Sequence, residues 1–344
     1  MAATSRSDVA PLLDIRNLTV EFDTPGGVVQ AVNGLSYSVE AGETLGIVGE
    51  SGSGKSVHIL ALLGLLPSPP ARIVSGEAWF DGRNLMTLSD RELREIRGGQ
   101  IGMVFQDPMS SLNPVLTVGR QLREVLVRHT DLTGSKLKAR MIELLDIVGI
   151  PHPEARLSQY PHEFSGGMRQ RVLIAIGMAC NPRLLIADEA TTALDVTVQA
   201  QILDLVRKLK GEFGTTVVWV THDMGVVAEL ADTVQVMYGG RIMERGPVRP
   251  VFHDPRSAYT WGLLKSLPTE GARTQRRLYQ IPGSPPNMAN LPAGDPFAPR
   301  NPFATDRCRR EVPPLREVGD VPGHMVAAWY DLPALLATTE EAPQ

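Results

Sequence analysis

The sequence has few cysteines and no long apolar run. Its 344 residues include only two cysteines, Cys180 and Cys308, which lie in unrelated contexts. This number excludes a disulfide framework and suits a reducing compartment. The longest strongly apolar run, 59–66, is far shorter than the roughly 20 residues that cross a bilayer, and the N-terminal stretch lacks the apolar core of a signal peptide. We therefore expect a cytoplasmic chain.

A large net charge is also missing. The chain has 34 Lys and Arg against 38 Asp and Glu, a formal charge of -4, so no overall basic field is available to hold nucleic acid. Hydrophobic residues make up 43% and charged residues 21%, which is typical of globular proteins and excludes a disordered or fibrous chain. The length is sufficient for one large domain with an appendage or for two modest domains.

The apolar pattern predicts an α/β fold. Residues 12–22 and 28–39 alternate apolar and polar side chains around a Pro-Gly-Gly turn, which is typical of an antiparallel pair. Short apolar runs joined to helical segments indicate a parallel core sheet. These runs are 44–48, which precedes a helical pattern over 56–66, then 184–187 and 217–221. The stretch from about 107 to 177 is rich in helix formers and is predicted to be a mainly helical subdomain.

The composition changes near residue 256. Of the 27 prolines, 12 lie in 281–344, and proline removes a backbone donor and blocks helix interiors. The tail is therefore predicted to be irregular or extended and docked on another surface. We divide the chain into a main domain over 1–255 and a Pro-rich C-terminal extension over 256–344.

A glycine-rich loop carries the strongest chemical signal. Residues 49–56 read GESGSGKS, which fits the phosphate-loop pattern G-x-x-x-x-G-K-[ST] between a strand and a helix. Backbone N–H groups would hold phosphate oxygens, Lys55 would reach the β- and γ-phosphates of ATP, and Ser56 would bind Mg²⁺. The residues assigned to nucleotide binding here are Gly49, Ser51, Gly52, Ser53, Gly54, Lys55 and Ser56.

Two carboxylates follow the apolar strand 184–187. In an open α/β sheet, Asp188 and Glu189 would lie beside the phosphate loop, at the carboxyl end of their strand. Asp188 is predicted to act in the magnesium shell, directly or through water. Glu189 is predicted to orient or deprotonate the water that attacks the γ-phosphate.

Residues 165–171, SGGMRQR, resemble the signature motif of ABC-transporter ATPases and precede the acidic strand as in that family. The resemblance implies a Q-loop glutamine at Gln106, which would contribute to catalysis and to the metal shell, and a switch histidine at His222. It implies nucleotide contacts from other residues, with Phe22 as the adenine platform. These residues are Phe22, Ser165, Gly166, Gly167, Gln170 and the D-loop residue Asp195.

The signature residues would contact the partner's ATP rather than their own, as the family resemblance implies. ATP would then lie between two subunits, so that its binding closes the pair and its hydrolysis opens it. The second ATPase subunit would be either an identical copy or a sister chain.

Three further segments resemble a narrower group within this family. They are 106–114, 160–171 and 281–287. They look like the ATP-binding subunits of oligopeptide and dipeptide importers, and the match runs over about 12–316. The resemblance implies a position on the cytoplasmic face of the membrane beneath two permeases, fed by an external substrate-binding protein. The helical segment would receive the permeases, and no nucleic acid partner is expected.

The chain departs from that family at two places. Ala190 follows Glu189 where proline is usual, with no loss of chemistry expected. Many relatives carry four tail cysteines that bind an iron–sulfur cluster, at positions that here correspond to Asp295, Asn301, Cys308 and Ala328. Cluster ligation normally needs four thiolates, so we predict no cluster and an ordinary thiol at Cys308.

Other functions share some of these motifs. A related importer for nickel, glutathione or short sugars would carry the same ATPase signals, because the ATPase subunit does not touch the cargo. A soluble ABC ATPase acting on nucleic acid or ribosomes usually has two nucleotide domains or a long coiled coil, and this chain has neither. A protein that binds ATP without hydrolysis would not need Glu189 and His222.

Overall fold

The structure is a computed structural model that describes residues 10–192, 194–267 and 279–340. Its strands are β1 Leu13–Thr24, β2 Gly27–Val39, β3 Thr44–Val48, β4 Ala71–Phe80, β5 Arg83–Asn84, β6 Ile101–Val104, β7 Leu184–Asp188, β8 Thr216–Thr221, β9 Thr233–Tyr238, β10 Arg241–Pro247, β11 Arg316–Glu317 and β12 Met325–Val326. Its α-helices are α1 Lys55–Leu62, α2 Asp90–Ile96, α3 Pro108–Ser111, α4 Val118–His129, α5 Gly134–Ile147, α6 Pro153–Arg156, α7 Gly166–Met178, α8 Val196–Phe213, α9 Met224–Leu230, α10 Val248–His253, α11 Ala258–Lys265, α12 Asp306–Arg310 and α13 Leu332–Glu340.

The smaller sheet is antiparallel and has the order β2-β1-β4-β5. The predicted hairpin is confirmed, since β1 pairs with β2 from Leu13 opposite Val39 to Thr24 opposite Gly27. The alternating side chains of both strands bury one face against α1 and the larger sheet.

The larger sheet has the order β11-β12-β10-β9-β3-β8-β7-β6. Its strands from β9 to β6 are parallel, which confirms the predicted core. All five residues of β3 are buried, because helices and the second sheet cover both faces. Since these strands run in the same direction, the loops after β3, β6, β7 and β8 meet at one edge of the sheet.

The first helix is shorter than predicted. It ends at Leu62 rather than near residue 66, because Gly64 adopts a left-handed φ of 58° and Pro67 follows. Between β6 and β7, helices α3 to α7 occupy the stretch predicted to be helical. Leu122, Leu126 and Leu145 from this stretch join the same apolar core as Val172 of α7.

The C-terminal extension packs on the free edge of the larger sheet. Its strand β12 pairs with β10 through Glu244 opposite Val326. Tyr259, Phe297 and Cys308 are buried in an apolar cluster shared with β9. As the proline content predicted, the described part of the extension consists of short elements joined by irregular chain.

None of the helices in the described ranges combines the length and the apolar character needed to span a membrane.

Candidate active site

A cavity of about 670 Å³ lies at the edge where the parallel strands end. Its lining residues come from five separate stretches of the chain. They are Glu50, Ser51, Gly52, Gly54, Lys55, Ser56, Val57, Gln106, Glu189, His222 and Pro285. The structure thus brings the predicted phosphate loop, Gln106, Glu189 and His222 into one site.

Two glycines allow the loop to pass closely over the sheet. Gly49 has a φ of 156°, and a Cβ built there would lie 2.1 Å from the carbonyl oxygen of Met237. Gly54 is left-handed with a φ of 95°, and its Cβ would lie 2.5 Å from the carbonyl oxygen of Ala31. Since any side chain would clash with backbone at both positions, only glycine fits there.

Lys55 folds back over the loop. Its Nζ donates to the carbonyl oxygens of Gly49 at 2.8 Å and Glu50 at 3.0 Å, and its side chain is almost fully buried. Burial lowers the pKa of Lys55, and the carboxylates of Glu189 and Asp188 oppose this shift. The ammonium group therefore lies in a partly desolvated site where its attraction for phosphate is strong.

Ser56 and Asp188 form a pair of oxygen donors. The Ser56 hydroxyl donates to Asp188 Oδ1 at 2.8 Å. Burial raises the pKa of Asp188, while the hydrogen bond from Ser56 opposes this effect. One hydroxyl and one carboxylate fit Mg²⁺, which in phosphate-binding enzymes takes few protein ligands and completes its shell with water and substrate phosphates.

Glu189 lies at a strained turn after β7. Its φ is 48°, and its N–H donates to the carbonyl of Val220 in the neighbouring strand at 2.8 Å. Gln106 Nε2 donates to Glu189 Oε2 at 2.8 Å, and His222 Nδ1 lies 3.6 Å from the same oxygen. Both side chains thus face one oxygen of the Glu189 carboxylate, Gln106 through a hydrogen bond and His222 at a longer distance. This arrangement suits a base or a water-orienting group.

The signature residues lie outside the lining of this cavity. Ser165 caps α7 by accepting from the N–H of Met168 at 3.3 Å, and Gly166 and Gly167 form the first turn. A Cβ on Gly167 would lie 2.7 Å from Val198 of α8, so glycine allows the two helices to meet. Asp195 similarly caps α8, where its Oδ1 accepts from the N–H of Val198 at 3.0 Å.

Gln170 and Phe22, which were also predicted to contact nucleotide, lie outside the cavity lining as well. Gln170 is only 1% exposed, because its position on α7 faces the interior, so the structure does not present its side chain to a ligand. Phe22 is half-buried in β1 against the core beneath the antiparallel sheet. Its role as an adenine platform stays a prediction.

Sequence reasoning missed residues that border the phosphate loop. Glu50, at a variable position of the loop, pairs with Arg300 of the C-terminal extension, and Pro285 lines the cavity. One available signal was the acidic side chain inside a loop built for phosphate, since such a carboxylate needs a cation nearby. Nothing in the local sequence identified Arg300 as that cation.

The four positions that correspond to cluster cysteines are all buried. Asp295 donates its N–H to the carbonyl of Cys308 at 2.8 Å. Tyr330 lies close to Asp295, Asn301 and Cys308. Ala328 shares the same apolar cluster with Cys308. One thiol among these four positions does not fit an iron–sulfur cluster, which normally takes four thiolates.

The sequence and the structure both match known proteins. The ABC transporter family profile matches residues 32–192, and the profile for the oligopeptide/dipeptide transporter C-terminal region matches 243–308. Over 321 residues, the chain is 51% identical to the oligopeptide transport ATP-binding protein OppD of Bacillus subtilis, covering 93% of this chain and 89% of that protein. It is 50% identical to OppD of Escherichia coli, with coverages of 94% and 95%.

Solved structures show the same cassette. A dimeric structure of the ATP-binding cassette MJ0796 bound to ADP and Pi aligns with a TM-score of 0.62 and 30% identity, covering 69% of this chain and 99% of that chain. The cbiO1 protein of Clostridium perfringens, part of the ABC transporter complex cbiONQ, aligns with a TM-score of 0.61 and 29% identity, with coverages of 71% and 91%. The chain therefore belongs to the ABC transporter ATPases, in the group that carries the oligopeptide/dipeptide transporter C-terminal region.

Proposed function

We propose that this chain is the ATP-hydrolysing subunit that powers import of dipeptides and oligopeptides through partner permeases. The main support is the sequence identity of 50–51% to oligopeptide transport ATP-binding proteins. This similarity extends over both the cassette and the C-terminal extension. The cavity at the sheet edge gives this proposal a chemical basis.

The phosphate loop binds the triphosphate in this proposal. Its N–H groups and the N-terminus of α1 offer positive potential, and Lys55 leaves its backbone acceptors to contact the phosphates. Ser56 and Asp188 would hold Mg²⁺, which neutralises phosphate charge during transfer.

Glu189 prepares the attacking water. Its carboxylate would orient this water or take a proton from it, and the hydrogen bond from Gln106 holds the carboxylate at the cavity for this role. His222 lies 3.6 Å from the same carboxylate oxygen and would contact the γ-phosphate when the site closes. With Glu189 and His222 both present, we favour hydrolysis over mere nucleotide binding.

A second ATPase subunit completes each site. The signature residues Ser165, Gly166 and Gly167 lie outside the cavity of their own chain, although a helix N-terminus of this kind suits an anion. A partner cassette, identical or a sister chain, would present these groups to the bound ATP. The dimeric form of MJ0796 supports such a pairing.

The remaining partners follow from the importer role. Two membrane-spanning permeases would receive the helical stretch between β6 and β7, and an external binding protein would deliver the peptide. The chain would then lie on the cytoplasmic face of the membrane.

Replacement of Lys55 tests the proposal. We expect Lys55→Ala to abolish peptide uptake in cells that express the complete transporter, because Lys55 is the only side-chain cation of the phosphate loop. Uptake of a labelled tripeptide measures the effect, and the exposed Lys208→Ala of α8 is the matched control. If Lys55→Ala takes up the tripeptide and every other cargo normally, the assignment of the site is refuted. If it takes up the tripeptide normally but loses uptake of a different cargo, the peptide class is refuted.

A further inference from the structure

A carboxylate lies inside the phosphate loop. Glu50 lines the cavity between Gly49 and Ser51, and its side chain is 25% exposed. An anionic side chain at this position would repel a triphosphate, since like charges at close range disfavour binding. A cation that pairs with Glu50 would reduce this repulsion. Lys55 lies close enough to interact with Glu50, but its Nζ donates to the loop carbonyls rather than to the carboxylate.

Arg300 of the C-terminal extension supplies that cation. Its Nη1 and Nη2 donate to Glu50 Oε2 at 2.6 Å and Oε1 at 3.0 Å, which is a two-pronged guanidinium–carboxylate pair. The side chain of Arg300 is only 7% exposed. The partners are 250 residues apart in sequence, so the contact depends entirely on how the extension docks.

The guanidinium is held by residues of the extension and of β9. Arg300 Nε donates to the carbonyl of Pro282 at 2.8 Å, and Nη1 also donates to the hydroxyl of Tyr238 at 3.1 Å. The group lies 5.7 Å from the ring centroid of Tyr238 and 5.9 Å from that of Phe297. These contacts fix the orientation of the guanidinium and so reduce the conformational entropy lost when Arg300 pairs with Glu50.

The backbone of Glu50 is fixed by the same region. Its N–H donates to the hydroxyl of Tyr259 at 2.9 Å, and Tyr259 packs against Tyr238 and Phe297. Pro285, three residues after the Pro282 carbonyl that accepts from Arg300, lines the cavity itself. The extension thus contributes Pro285 to the cavity lining. It also contacts both the backbone and the side chain of Glu50.

We propose that Arg300 is a positioning residue for ATP binding, which pairs with Glu50 so that this carboxylate neither repels nor displaces the bound phosphates. The proposal rests on the assignment of the cavity as the nucleotide site. It gives the C-terminal extension a part in nucleotide affinity, in addition to its packing against the sheet.

The test is the dissociation constant of MgATP, measured by calorimetry on the purified full-length chain. We expect Arg300→Gln to raise this constant about tenfold, because it leaves an uncompensated carboxylate against the phosphates. The double variant Glu50→Gln with Arg300→Gln should bind within about threefold of wild type, since the repelling charge is gone. Arg309→Gln, an exposed arginine of the same extension, is the control and should bind as wild type.

The outcomes separate the possible failures. Wild-type affinity in Arg300→Gln, together with loss of binding in Lys55→Ala, would overturn the proposal while leaving the nucleotide site in place. Wild-type affinity in Lys55→Ala would remove the site itself and the proposal with it. A double variant as weak as the single one would reduce Arg300 to a structural contact and also overturn the proposal.

A second comparison covers the case in which Arg300→Gln does not fold. Glu50→Gln alone and the double variant should then bind MgATP within about threefold of each other, because Arg300 has no charge left to compensate. A difference of about tenfold between these two would contradict the proposed role.

Discussion

Glu189 differs from the other non-glycine residues of the cavity lining in having a positive φ. Its left-handed φ of 48° is uncommon for a residue with a side chain and costs of the order of 1–3 kcal/mol. The surrounding bonds maintain it, since its N–H is tied to Val220 and its carboxylate to Gln106. Because Glu189 lines the cavity, this strained backbone lies at the candidate active site.

At this scale we predict the effect of Glu189→Gln. The substitution keeps the size of the side chain and removes the charge that accepts a proton, so turnover of ATP should fall by roughly 10²–10⁴ while ATP binding is retained. Steady-state hydrolysis by the assembled transporter and a binding assay measure the two effects. The exposed Glu212→Gln on α8 serves as control, and wild-type turnover in Glu189→Gln would exclude Glu189 as the base.

At the scale of elements, the C-terminal extension contains a buried carboxyl group. Asp295 is 1% exposed, and burial raises its pKa to about 6, although the N–H of Phe297 donates to it and opposes the shift. Between pH 4 and pH 6 the folded chain then holds a proton that the unfolded chain has lost. The free energy of unfolding therefore decreases as pH rises through this window, by about 3 kcal/mol at most.

Asp295→Asn tests this electrostatic cost. The amide keeps the shape but carries no charge, so we expect the free energy of unfolding to rise by about 1–3 kcal/mol at pH 7.5 and by clearly less at pH 4.5. Urea unfolding at the two pH values measures it, with the exposed Asp320→Asn as control. An equal change at both pH values would contradict the raised pKa.

At the scale of the whole molecule, the residues predicted to contact nucleotide lie on two separate surfaces of one chain. The cavity holds the phosphate loop and Glu189, whereas the first turn of α7 lies elsewhere and has no part in the cavity lining. A Cβ on Gly166 would meet no atom within 4 Å, so the first turn of α7 is open there toward an external group.

Gly166→Asp tests the need for a partner. The side chain fits within its own chain, but its carboxylate would face the phosphates of ATP bound to the other subunit. We expect ATP binding by the isolated chain to stay at the wild-type level and hydrolysis by the complete transporter to fall at least tenfold. Gly211→Asp on α8, also open within 4 Å, is the matched control. Unchanged hydrolysis in Gly166→Asp would indicate that each chain works alone.

The sequence alone determined the phosphate loop and the class of fold. The phosphate loop is contained within eight consecutive residues, so its chemistry is a local property of the chain. The positions of Glu189 and His222 follow from strand order, because parallel strands carry their carboxyl ends to one edge. The apolar run 184–187 was sufficient to predict the place of Glu189 at this edge, whereas His222 was predicted from the family resemblance.

Only the tertiary structure decided the contacts made across long sequence separations. Arg300 meets Glu50 because the extension docks on the edge of the sheet, and no local pattern encodes that docking. The burial of Gln170 depends on which face of α7 packs inward, although its motif predicted a ligand contact. Burial and long-range pairing depend on the whole packed core, so they are fixed only when the chain has folded.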